Sequence, residues 1–434
     1  MIRLHAYPLL IVLALGIAES LLLAYNYFTV ILLALFFTVT SDIIVFGIFE
    51  SPAAERLELT RKIQNSKLIK GGRTTVAVTL KNNSMTTIHL NCEDMTSETL
   101  VPANNSRFLT IKGGGTAELK YEVTAPFCGK QQFGPLCASL RDPFNFCVRD
   151  IELNTLSEIH VEPFFSKIEN SRRETSRRMK QPSGTKQIVR AGQGYQFFRI
   201  RQYTDRDDPR SIVWSRYGTP REDDIYVKEM QEERTREIVF LIDFSAGTIF
   251  GYEERRIYDD IVSAVLKSTD AIAQLGDRVG FLFYSSTCCH YIPAGKPVTT
   301  GVLARNFVSL NSPGGRFLLT SGIREAKKRL RKSAAVIVVS PMLDGEKFDP
   351  GLGYLLSGGS VSAVLVKAGD YVSRNNDLKT ILIRGVAGRK EKEILRIGRF
   401  LSLSGMRTIV STGNELPAKV IEAWAYGRMI NAGS

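Results

Sequence analysis

At 434 residues, with 44% hydrophobic and 23% charged residues, the chain is too long for one average domain and too apolar to be disordered. Its 57 Lys and Arg outnumber 44 Asp and Glu, and this net charge of +13 suits an anionic partner: nucleic acid, a membrane surface or an acidic protein. Nucleic acid is set aside, because the basic residues are not interleaved with a stacking-aromatic module.

From Ala6 to Phe49 the chain is apolar, with Glu19, Asn26 and Asp42 as the strong exceptions. That is about twice the ~20 residues one bilayer crossing needs. A transmembrane helical hairpin is therefore expected over 1–50, with helices at Tyr7–Leu23 and Phe28–Phe46 and a turn near Tyr25-Asn26-Tyr27. A cleavable signal peptide fits less well, since neither a long polar n-region nor a small-residue cleavage site precedes the second apolar run. Arg3 precedes the first helix; Arg56, Arg61, Lys62, Lys67, Lys70 and Arg73 follow the second; the turn has no basic residue. Both ends are expected in the cytoplasm. Glu19, near the outer end of the first helix, reads as a solvated carboxylate.

Beyond a charged connector, Glu50 to Ser66, the period becomes two. Val76, Val78 and Leu80 alternate with Ala77 and Thr79, and Leu119, Tyr121 and Val123 alternate with Lys120 and Glu122. Turn signals at Lys81-Asn82-Asn83-Ser84 and Gly113-Gly114-Gly115 separate such runs, so 51–163 is expected to be an antiparallel β-sandwich. Six cysteines occur without a CxxC, which argues against zinc. In a cytoplasmic domain the default is free thiols, and the Asn82 and Asn104 glycosylation-type triplets would go unused.

Residues 164–192 form a basic linker, with Arg172, Arg173, Arg177, Arg178, Lys180, Lys186 and Arg190 against Glu169 and Glu174. It reads as a solvated segment, or as a strap for a membrane or an acidic partner. The segment 193–236 sets Arg199, Arg201, Arg206, Arg210 and Arg216 among Asp205, Asp207, Asp208, Asp223 and Asp224, threaded through Tyr203, Ile212 and a Trp214 expected to be buried. Such a mixture either satisfies itself as an ordered loop or anchors a protein interface, where Trp, Tyr and Arg dominate.

From 237 to 434 strands and helices alternate. Strands are expected at Ile238–Asp243, Val279–Tyr284, Ala334–Ser340, Val361–Val366, Thr380–Ile383 and Met406–Val410. Helices are expected at Glu254–Leu275, Leu318–Leu330, Lys390–Leu403 and Leu416–Met429. The rhythm implies an α/β doubly wound parallel sheet with helices on both faces, and ligands of such sheets bind at strand ends like Asp243.

Arg201-Gln202-Tyr203, Asp205 to Asp208, Arg210, Ile212, Trp214, Arg216 and Val227-Lys228, followed by a strand ending in Asp243-Phe244-Ser245-Ala246-Gly247, resemble the signature of the domain of unknown function 58 family. Phe133-Gly134-Pro135-Leu136 and Arg141-Asp142-Pro143-Phe144 are similar to stretches that precede it there. The resemblance implies a von Willebrand factor A-like (Rossmann-like) domain, and a MoxR-type AAA+ ATPase as a working partner in protein assembly or maturation. In von Willebrand A domains an Asp-x-Ser-x-Ser loop, a Thr and an Asp hold a divalent cation, hard oxygen ligands that suit magnesium or calcium. Here Asp243 and Ser245 are present, but Gly247 replaces the last hydroxyl, Arg316 stands at the expected Thr, and Pro341 follows Ser340 at the expected Asp. Thr248, Thr320 and Asp344 lie nearby. The site is degenerate, an Arg316–Asp243 ion pair could replace the cation, and no cofactor is expected.

No GxSxG, HExxH or phosphate loop occurs, the four histidines are scattered, and Cys288-Cys289-His290 alternates like an edge strand. The expectation is a non-enzymatic, membrane-anchored adaptor or scaffold with a partner surface at Arg201, Tyr203, Asp208, Arg210, Trp214 and Arg216. The alternatives are an extracellular cation-dependent adhesion or ligand-binding receptor using Asp243 and Ser245, and a hydrolase using Cys288 or Cys289.

Overall fold

The computed structural model describes residues 2–4, 6–22, 26–142, 144–163, 191–214, 225–231, 236–252, 254–274, 276–330, 334–344, 352, 356, 361–373 and 377–430. The turn residue Tyr25, the linker 164–190 and Arg216 lie outside them. The chain divides into two compact units, Met1–Phe164 with Arg305–Ser312, and Phe165–Ala304 with Pro313–Ser434.

The first unit opens with β1 (Ile2–Leu4), followed by the apolar helices α1 (Tyr7–Leu22) and α2 (Asn26–Val45). A π-helical turn, Phe46–Glu50, and the short α3 (Ser51–Ala53) prolong α2. The stretch Tyr27–Arg56 is long and apolar enough to cross a bilayer, while Tyr7–Leu22 is a shorter apolar helix. The two helices pack closely because Gly16 offers Leu32 a gap that a Cβ would narrow to 3.3 Å. Near the turn, the buried Ser20 and Thr29 hydroxyls meet at 2.9 Å.

Ten further strands follow: β2 (Leu57–Ile63), β3 (Lys67–Ile69), β4 (Gly72–Asn82), β5 (Ile88–Thr96), β6 (Val101–Ala103), β7 (Ser106–Ile111), β8 (Thr116–Ala125), β9 (Gly129–Arg141), β10 (Cys147–Leu153) and β11 (Ser157–Glu162). One sheet runs β2-β4-β8-β6. In the other, β9 is central: β5 lies along one edge, and β10 and β11 share the other in succession. Alternate residues such as Val76, Val78 and Leu80 from one sheet and Ile88, Leu90 and Leu140 from the other share one apolar core. The sequence did not foresee β1, whose Ile2, Arg3 and Leu4 pair with Arg149, Val148 and Cys147.

The second unit begins with a two-stranded antiparallel ladder, β12 (Ala191–Gln202) and β13 (Tyr226–Gln231). Then come β14 (Glu237–Asp243), the two-residue strands β15 (Gly251–Tyr252) and β16 (Arg255–Arg256), α4 (Ile257–Ala273), β17 (Arg278–Tyr284), β18 (Cys289–Gly295), α5 (Pro297–Leu310), whose residues from Arg305 on group with the first unit, α6 (Leu319–Arg329), β19 (Ala335–Ser340), β20 (Val361–Val366), α7 (Leu378–Leu403), β21 (Arg407–Ser411) and α8 (Leu416–Ile430). The sheet order is β18-β17-β14-β19-β20-β21, parallel except for the edge strand β18. Continuous burial of β14, β19 and β20 reflects cover on both faces. Val239, Leu241 and Val338 meet α6 and α7 on one face. On the other, Phe240 stacks on Phe281 and Phe244 meets Tyr258 of α4 edge-on.

One expected strand is wrong. Thr380–Ile383 belongs to α7, a single helix of 26 residues. Its later turns seat Ile394, Ile397 and Leu401 on the sheet, and this tertiary anchor carries the helix back through a β-branched run that reads locally as strand.

Candidate functional site

Two places in the second unit collect polar chemistry. The first grows from the β12–β13 ladder, where Arg199 lies directly opposite Glu229. Glu229 serves two arginines, accepting from Arg199 Nε at 2.7 Å and from Arg201 Nε at 2.5 Å. The Arg201 Nη1 and Nη2 groups then donate to Asp207 Oδ2 and Oδ1 at 2.7 and 2.6 Å. Such a fork fixes position and orientation together. Asp207 also accepts from the backbone N–H and the hydroxyl of Thr204, each at 2.8 Å, so the loop is fastened to the ladder. Hydrogen bonds from Arg201 hold the Asp207 carboxyl well below the usual carboxylate range, and those from Arg199 and Arg201 lower Glu229.

The loop continues through a 3-10 turn, Pro209–Ser211, capped by Asp208 Oδ1, which accepts from Arg210 N at 2.9 Å. Val213 N then donates to Tyr226 O at 2.8 Å, and Val213 and Val227 are buried. Val213 is turned inward, whereas the next residue, Trp214, at the start of a 3-10 turn, is 63% exposed. The expected burial of Trp214 is thereby corrected. The predicted surface set divides: Arg201 and Asp208 are committed within the loop, Tyr203 is half-buried, and Arg210 and Trp214 face outward. The sequence reading missed Glu229; a cross-strand charge match between Arg199 and Glu229 was the available signal.

The second place is the sheet tip between β14 and β19, where the strand order reverses direction. Asp243 is 1% exposed. Its Oδ1 accepts from Ser245 N at 2.9 Å and its Oδ2 from Ser340 Oγ at 2.5 Å, while the Ser340 hydroxyl accepts from Met342 N at 2.9 Å. Burial pushes the Asp243 carboxyl up to about 6, opposed by the Ser340 and Ser245 hydrogen bonds, with Asp344 adding to the rise. The Asp344 Oδ2 accepts from Phe317 N at 2.6 Å, and its other oxygen faces Gly247.

The loop Pro313-Gly314-Gly315-Arg316 closes this tip. Gly314 N donates to Phe244 O and Gly315 O accepts from Ala246 N, both at 3.0 Å. Gly315 has φ +72, and a Cβ there would lie 2.6 Å from Ser286 Oγ, so only glycine suits. Arg316 is exposed whereas Asp243 is buried, so the expected ion pair between them does not form. Ser340 supplies the donor instead. With both Asp243 oxygens and one Asp344 oxygen already accepting protein hydrogen bonds, and no hydroxyl at Gly247 or Arg316, the residues do not fit a resident divalent cation. Among the described residues no group of three His, Cys, Asp or Glu side chains suits a metal.

Residues 199–368 match the family model described as a protein of unknown function, DUF58. No curated protein matches the chain. Among solved structures, an aerotolerance-related membrane protein from Bacteroides fragilis NCTC 9343, carrying multiple mutations to serines, is 13% identical over 44% of this chain and 99% of its own, with a TM-score of 0.31. A FixG-related protein from Vibrio parahaemolyticus is 11% identical over 24% of this chain and 94% of its own, with a TM-score of 0.18. Likenesses of this strength carry no inference about fold or activity.

Proposed function

We propose that the chain is a membrane-anchored, non-enzymatic adaptor whose outward Trp214 and Arg210 dock a cytoplasmic protein, a MoxR-type AAA+ ATPase being the partner implied by the signature. The observation that carries this reading is an exposed Trp on a loop pinned by the Arg201–Asp207 fork. A large aromatic held in water at no conformational cost to its partner is how interface anchors are prepared.

The other parts follow the same reading. Residues 1–50 form the hairpin anchor, and pairing of β1 with β10 supports it, since the start of α1 and the strands after α2 then share one side of the membrane. The basic residues that flank the helices support a cytoplasmic position for that side. Residues 51–163 act as a β-sandwich spacer, and 237–434 as a von Willebrand A-like domain whose tip is closed by Ser340 rather than by a cation. Thiol chemistry at Cys288 finds little support: burial pushes its thiol up, away from the reactive thiolate.

The test is photocrosslinking in cells from a p-benzoylphenylalanine placed at Trp214. Crosslinks to a cytoplasmic ATPase or its client are expected. Crosslinks only to extracellular or envelope proteins would instead favour the receptor alternative.

A further inference from the structure

The face of α7 turned away from the sheet carries a row of exposed side chains. Its buried side is Ala387, Ile394, Ile397 and Leu401. On the opposite side the first turns present Leu378, Ile381, Leu382 and Val386, a stripe at i, i+3, i+4 and i+8, with Leu378 78% and Leu382 71% exposed. Arg384, behind that stripe, donates to Ser373 O at 3.0 Å and holds the helix so that the stripe points outward. The same outer face continues through the exposed Arg389, Lys392, Arg396 and Arg399 and ends in the exposed Phe400 and Leu403.

The acids nearby do not offset this charge. Glu391 is paired with Lys367 at 2.8 Å and Glu393 with Lys390 at 2.9 Å, and from Leu378 to Lys390 the sequence contains no acid. At 1.5 Å per residue the helix is about 39 Å long. It therefore offers an apolar stripe, four cations and an apolar end on one side. The helix carries no Trp or Tyr, the residues that with Arg most often anchor protein interfaces. Aliphatic residues beside Lys and Arg, whose long stems let the charge reach headgroups, suit a bilayer interface.

We propose that the outer face of α7 docks in the plane of an anionic phospholipid surface. The four cations supply attraction that vanishes on a neutral bilayer, and the aliphatic stripe supplies burial at the headgroup boundary. This face is independent of Trp214 and of the hairpin anchor.

The test places the full chain, as Leu382→Trp, in nanodiscs with and without phosphatidylglycerol, using brominated acyl chains as quenchers. In anionic discs the added Trp emission should shift to the blue and be quenched beyond the wild-type chain, whose Trp214 and Trp424 set the background. Neutral discs, or the combined Arg389→Gln, Lys392→Gln, Arg396→Gln and Arg399→Gln variant, should abolish the added quenching. Solvent-like, unquenched emission in anionic discs that carry the chain overturns the proposal. So does a blue shift that bromination leaves unchanged, which assigns the face to an acidic protein or a second copy. If the chain does not enter discs, the anchor reading fails separately, and the face is read by sedimentation with anionic vesicles. There the four-glutamine variant should lose at least about tenfold in partitioning, and equal partitioning would overturn the proposal.

Discussion

Arg201 grips Asp207 through two parallel hydrogen bonds of 2.7 and 2.6 Å while its Nε reaches Glu229 at 2.5 Å, so one guanidinium ties a loop to two strands. This junction holds the loop on which Arg210 and Trp214 stand, and its behaviour can be separated from that of the surface it carries.

Arg201→Lys keeps the charge but loses the fork, since an ammonium cannot serve two carboxylates in that geometry. Because these groups lie at the surface, global stability should hardly change. The loop 204–211 should instead become cleavable in limited proteolysis, and partner binding should weaken. An unchanged cleavage pattern would show that the fork does not order the loop.

The Asp243 carboxyl titrates at about 6 in the folded chain against 3.8 for the free group. The folded state therefore holds its proton to higher pH, so stability falls as pH rises through that window, by roughly 3 kcal/mol once both forms are ionised. Between pH 5 and 7.5 the wild-type chain should lose about 1 kcal/mol more than Asp243→Asn in denaturant titrations. Magnesium or calcium should leave both transitions in place. A cation-induced stabilisation lost in Asp243→Asn would establish the metal site that the geometry disfavours.

In the first unit Arg61 and Asp94 form a fully buried pair, extended by Tyr121 Oη donating to Asp94 Oδ2 at 2.5 Å. Asp94→Ala should cost about 3–5 kcal/mol by stranding the guanidinium. Arg61→Met with Asp94→Leu should cost far less, because no charge then remains buried. Thermal unfolding of the detergent-solubilised chain, with the two units followed separately, measures both.

Topology is open to chemistry at Cys289, which is exposed while Cys92, Cys128 and Cys147 are buried. In intact cells a membrane-impermeant maleimide should not reach it until the membrane is permeabilised. Labelling of intact cells would place the domain outside and revive the receptor reading.

Much of the second unit was legible because its strands are continuous apolar runs: Glu237–Asp243 and Val361–Val366 lie where that pattern put them. The alternation around Val76 and Leu119 likewise located β4 and β8. What escaped depends on distant partners. The β1 segment is too short to announce itself and exists by pairing with β10. Thr380–Ile383 is strand-like in isolation and helical because α7 is anchored further on. In the candidate surface, the residue types were legible but not their roles. Arg201 and Arg210 look alike in sequence, and only the register, which sets Arg199 opposite Glu229 and leaves Arg201 on the diagonal within reach of the same carboxylate, shows that Arg201 faces inward to its neighbours.

The most direct test of the adaptor reading is purification of the tagged chain from its own membranes in mild detergent, with and without a nucleotide trap, followed by mass spectrometry. An AAA+ ATPase should co-purify, and Trp214→Ala should reduce its recovery by about 30-fold, the loss of a strong interface anchor, with Arg210→Ala reducing it less. Undiminished recovery with both substitutions, in chains that remain folded, would contradict the proposed surface.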